Sequence, residues 1–123
     1  MSVETKKIID PSIEVHANCV RAPVFIGHAE WVNVELKSPL SYEEAKKLLA
    51  AAPGLVVVDH RQDEGYVTPA ECAGEDAVYV SRIREDVTIE NGLSFWVVSD
   101  NIRKGAALNT VQISKVLIDE HLS

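Results

Sequence analysis

At 123 residues, 46% apolar and 25% charged, the chain has the material for one core and too much apolar content for a disordered segment. A net charge of −7 argues against a generic nucleic-acid or anionic-membrane surface, although a local cationic pocket can persist inside an acidic protein. No apolar run approaches a bilayer span, the first residues carry Glu4, Lys6 and Lys7 where a signal peptide has an apolar core, and two cysteines are too few for a disulfide framework, so the reading is a cytoplasmic protein with free thiols.

Val3 to Ile9 reads as a helix stopped at Asp10-Pro11, because the residue before a proline is disfavoured in the helical region. Ser12 to Arg21 reads as a strand, with Ile13, Val15, Ala17, Cys19 and Arg21 on one face at period two. A turn over Pro23 to Gly27 then leads into a second strand, Trp31 to Leu36, expected to pair antiparallel with the first. Ser41-Tyr42-Glu43-Glu44 fits a capping box, and Tyr42, Ala45, Leu48, Leu49 and Ala52 form the stripe of a helix that Pro53-Gly54 ends. Leu55 to Val58 reads as a short, fully buried strand. His60 to Asp76 is a long polar connection expected at an interface. Ala77 to Ile83 and Leu93 to Val98 read as an antiparallel pair joined through Asn91-Gly92. A last helix runs from an Asn101 N-cap to about Glu120, with Ile102, Ala106, Ile113, Val116 and Leu117 on one side. This order predicts an α+β fold: a mixed, largely antiparallel sheet with helices on one face. The other face, near Trp31, Tyr79 and Trp96, needs a cover from a second subunit or another domain.

Arg21 and His28 carry the chemistry of this pattern. A cation closing an inward-looking row needs a carboxylate, such as Glu14 or Glu30, or an anionic ligand, and both readings stay open. His28 is either a turn residue satisfied by a hydrogen bond or an acid/base group. Cys19 and His28 together suggest a nucleophile pair, but a cysteine between apolar strand residues is more simply a small buried hydrophobe. His16, Cys19 and His28 make a poor metal site, since residues three apart on a strand face opposite ways, and no metal is expected. The six glycines form no Gly-x-Gly-x-x-Gly or phosphate-binding loop, so no dinucleotide fold is encoded.

Three blocks stand out in order and spacing: Glu4-Thr5-Lys6-Lys7-Ile8, then Cys19-Val20-Arg21-x-Pro23-Val24 with Gly27-His28-x-Glu30, then Asp100-Asn101-x-Arg103-Lys104-Gly105-Ala106-Ala107-Leu108-Asn109. With Arg82-Ile83-Arg84-Glu85-Asp86 and Asn91-Gly92-Leu93 between them, the whole chain resembles the C-terminal part of aspartate-semialdehyde dehydrogenase of the bacterial type. The resemblance implies a glyceraldehyde-phosphate-dehydrogenase-like domain in which residues 1–123 serve catalysis and dimerisation, with the N-terminal NADP-binding domain absent from this chain. It implies NADP-dependent interconversion of aspartate semialdehyde plus phosphate with aspartyl phosphate through a cysteine thioester, on the route to lysine, threonine and methionine. Under it His28 is the catalytic acid/base, Arg21 grips the substrate carboxylate with its fork, Asn101 lies near NADP, and the assembly is a homodimer or larger homo-oligomer. Cys19 does not match the family's nucleophile, which belongs upstream, as do a glutamate for the substrate amino group and a phosphate-binding lysine; Ala29 stands where a serine is common. The chain alone is expected to be inactive. The alternatives are a related acyl-phosphate reductase for another semialdehyde and a non-catalytic domain kept for subunit association.

Overall fold

Four strands form one sheet in the order β1-β4-β3-β2. The computed structural model describes residues 2–122. Its elements run α1 (Ser2–Ile8), β1 (His28–Glu35), α2 (Tyr42–Ala51), β2 (Leu55–Val57), α3 (Pro69–Cys72), β3 (Val78–Asp86), β4 (Gly92–Ser99), a π-helical turn (Arg103–Ala107) and α4 (Leu108–His121). β4 pairs antiparallel with both β1 and β3, while the short edge strand β2 lies parallel to β3. The α+β class and the mixed, largely antiparallel sheet are those the sequence predicts.

Period-two alternation sends Val34, Phe95, Leu93, Val80, Leu55 and Val57 to one face, where Ala45, Tyr42 and Leu49 of α2 pack on them. The predicted capping box fixes where that helix starts: Ser41 and Glu44 exchange side-chain and backbone bonds, and the Tyr42 amide donates to Glu85 of β3 at 3.1 Å. The opposite face gathers Val98, Trp96, Tyr79 and Ala29. Its cover is internal in part, because the 60–76 connection folds back, burying Val67 and Cys72. Trp96 Nε1 donates to the Val67 carbonyl at 2.9 Å, and the Val67 amide donates to Ser81 Oγ at 3.2 Å. Trp31, 6.5 Å from Trp96 between ring centroids, remains 40% exposed.

β3 carries one extra residue between Ser81 and Arg84 relative to β4. Arg82 absorbs it in a left-handed conformation (φ 51°) and stacks on Tyr66 at 4.3 Å, so Ile83 can point fully into the α2-side core.

Several expectations are corrected. Ser12 to Arg21 is not a strand; residues 10–27 follow α1 as an irregular arm, almost wholly exposed, with Val20 93% and Phe25 fully exposed. The second strand therefore pairs with β4 instead, and it starts at His28, three residues before the expected Trp31. Arg21 closes no inward row, and Cys19 is exposed where a buried hydrophobe was expected. β2 is not fully buried, since as an edge strand it leaves Val56 41% exposed. Cys72 lies in α3 and is completely buried. α4 packs mainly on the π-helical turn, leaving Ile113, Val116 and Leu117 about half exposed.

Candidate active site

His28 is the first residue of β1 and pairs with Ser99, the last of β4, so it sits at the sheet end where the chain leaves β4 for the C-terminal helix. Two residues on, the Asn101 side-chain oxygen accepts the Gly27 amide at 2.7 Å. That bond links the residue before His28 to the end of β4 across 74 positions of sequence. Gly27 has φ 121°, and a Cβ there would stand 2.7 Å from Pro69 Cβ, so only glycine lets the turn close against the start of α3.

Asp100 anchors the other side of the cluster. It is 3% exposed and accepts amides from Gly74 at 2.8 Å, Ile102 at 2.8 Å and Arg103 at 3.0 Å. These backbone donors, Gly74 foremost, hold its carboxyl below the ordinary carboxylate range. Asp100, not Asn101, is therefore the residue that caps the helical segment, which corrects the N-cap expectation. Arg103 Nε donates to Asp76 Oδ1 at 2.6 Å, closing the link between the 69–76 segment and the helix start.

Histidine and glutamate alternate on one face of β1, and His28 Nε2 meets Glu30 Oε1 at 2.7 Å. The pair is partly open to solvent, with side chains 56% and 34% exposed. The sequence offered Glu30 as a partner for Arg21 and missed this contact; the signal was the i, i+2 spacing, readable only once the strand is known to start at His28. Glu14, the other candidate, pairs with Lys6 at 3.3 Å. Arg21 itself is exposed and makes no hydrogen bond or ion pair with any described residue, so the internal ion pair is not formed.

The structure thus brings His28 and Asn101 together through Gly27 and leaves Arg21 on the arm. Asn101 spends its oxygen on Gly27, while its Nδ2 donates to no described residue and is available to an acceptor. Cys72 is unsuited to nucleophilic work: burial, then the Asp100 charge, pushes its thiol up, and Sγ donates to the Pro69 carbonyl at 3.3 Å. Among the described residues no group of three or more His, Cys, Asp or Glu could hold a metal ion, and no helix is long and apolar enough to cross a membrane.

A family model described as semialdehyde dehydrogenase, dimerisation domain, matches residues 1–104. Aspartate-semialdehyde dehydrogenase of Aquifex aeolicus is 50% identical over 123 residues, 99% of this chain and 36% of the relative. That of Legionella pneumophila is 50% identical over 121 residues, 97% of this chain and 35% of the relative. Among solved structures, aspartate semialdehyde dehydrogenase II from Vibrio cholerae, complexed with ASA, superposes with a TM-score of 0.90 at 42% identity, covering 98% of this chain and 36% of that one. The chain spans about 36% of the length of these relatives.

Proposed function

The chain belongs to the semialdehyde dehydrogenase family, and from that premise we propose that it is the C-terminal catalytic and dimerisation domain (residues 1–123) of an aspartate-semialdehyde dehydrogenase. The reaction is the NADP-dependent interconversion of aspartate semialdehyde and phosphate with aspartyl phosphate, through a thioester on a cysteine outside this chain, in the cytoplasm. The observation that carries this reading is the near-complete coverage of the chain by dehydrogenases named for that substrate, one of them solved with ASA.

In the proposed mechanism His28 accepts the proton of the nucleophilic thiol as its sulfur attacks the aldehyde carbon, and returns a proton when the sulfur leaves. Arg21 offers five donors in a planar fork and, free of any internal carboxylate among the described residues, is suited to hold the substrate carboxylate. NADP, when bound, supplies the hydride acceptor. The residues present fit only its margin: Asn101 has a free Nδ2, and the chain lacks a glycine-rich phosphate loop, so the rest of the protein holds most of the cofactor. The assembly is a homodimer or larger homo-oligomer.

Two assays test this. The 123-residue chain with aspartate semialdehyde, phosphate and NADP should yield no NADPH, whereas the longer protein containing it should. In that longer protein Arg21→Lys should raise KM and lower turnover by an amount equivalent to about 2–5 kcal/mol, the cost of breaking a desolvated bidentate pair. A loss below about threefold, on the order of 0.6 kcal/mol, removes Arg21 from the substrate site.

A further inference from the structure

We infer that Glu30 is a positioning residue for His28, fixing which ring nitrogen faces the reaction. The inference rests on the reading of His28 as the acid/base. A carboxylate only accepts, so at 2.7 Å it is His28 Nε2 that donates its hydrogen to Glu30 Oε1. In the neutral imidazole the other nitrogen, Nδ1, is then the bare one. Nδ1 takes up the thiol proton, the S–H bond breaking as the N–H bond forms, and the resulting imidazolium keeps its Nε2–H against a negative charge.

Three further observations make this an arrangement built by the fold. His28 and Glu30 are held on one face of β1 by consecutive pairing with Ser99 and Val97 of β4, so their spacing is set by the strand and not by a flexible turn. Asn101 accepts the Gly27 amide at 2.7 Å, which ties the residue before His28 to the end of β4. No other carboxylate or base among the described residues hydrogen bonds or ion pairs with His28 or Glu30.

A double-mutant cycle on kcat and KM in the longer dehydrogenase containing this chain tests the inference. Glu30→Ala should lower kcat about tenfold or more with KM changed less than about twofold, as for loss of a group that orients a catalytic ligand. Glu30→Gln removes the charge, and its amide can donate to Nε2 and favour the other tautomer, so it should be as slow as Glu30→Ala or slower. In the His28→Ala background Glu30→Ala should change kcat by less than about twofold, because the residue it acts through is gone. If Glu30→Ala costs as much without His28 as with it, or if Glu30→Gln keeps the kcat of the unsubstituted enzyme, the positioning role is overturned while the reading of His28 stands. If His28→Ala leaves kcat unchanged, the reading of His28 falls and takes this inference with it.

Discussion

Asp100 and Asn101 are neighbours whose side chains take different tasks, one turned inward to backbone amides of the 74 and 102–103 segments, the other outward to Gly27. Sequence alone could not assign them, since either residue type caps a helix equally well. The amides that Asp100 accepts, Gly74 foremost, have a consequence for acid stability. Its folded carboxyl is lowered from about 3.8, so the unfolded chain binds more protons in that range. The stability it contributes is present above the ordinary value and is lost as pH falls through the lowered one. Asp100→Asn should therefore be less stable at neutral pH and lose less of its remaining stability between about pH 5 and pH 2, read from urea midpoints. An unchanged acid slope would contradict the arrangement. The two thiols make a second contrast: Cys19 is exposed and Cys72 is fully buried with its thiol pushed up. Iodoacetamide should modify Cys19 quickly and Cys72 only on unfolding. Equal rates would show that α3 does not seal the sheet face that carries Val98 and Trp96.

At the scale of elements, the capping box of α2, a turn ending at Asn91 (φ 53°) and the β3–β4 pair were legible because each rests on local chemistry: a hydroxyl, an asparagine that tolerates positive φ, an alternation of side chains. The strand expected over Ser12 to Arg21 was not, because alternation describes any extended chain and says nothing about which edge accepts it. β4 has two edges, and β1 and β3 occupy both. The arm is left without a ladder partner, and most of its apolar residues, Val20 and Phe25 foremost, are exposed. α4 repeats the lesson, as its apolar stripe is real in sequence but half exposed. Ile83→Ala in the core should cost about 2–5 kcal/mol of unfolding free energy, while Leu117→Ala on α4 should cost below about 1 kcal/mol in this chain. Comparable losses would mean that α4 is buried. Gly27→Ala should cost about 1–3 kcal/mol, through its positive φ and the Pro69 contact, and should loosen the His28 turn.

At the scale of the whole molecule, the motif order Arg21, His28, Asn101 was readable, and so was the family whose domain the chain matches. What stayed hidden were the contacts made across sequence: Asn101 on Gly27, Asp100 on Gly74, and Glu30 on His28. Each depends on which strand ends meet, a property of sheet order and not of local pattern. Arg21 shows the opposite limit, since it hydrogen bonds or ion pairs with no described residue, and its proposed role as a carboxylate grip has no counterpart in the contacts of the chain. On the proposed reading, this domain supplies the acid/base of a dehydrogenase and another segment supplies the nucleophile. Steady-state turnover of His28→Ala in the longer enzyme, with aspartate semialdehyde, phosphate and NADP, tests it most directly. kcat should fall by about 10²–10⁴ with KM nearly kept, and turnover equal to that of the unsubstituted enzyme would return His28 to a purely structural role.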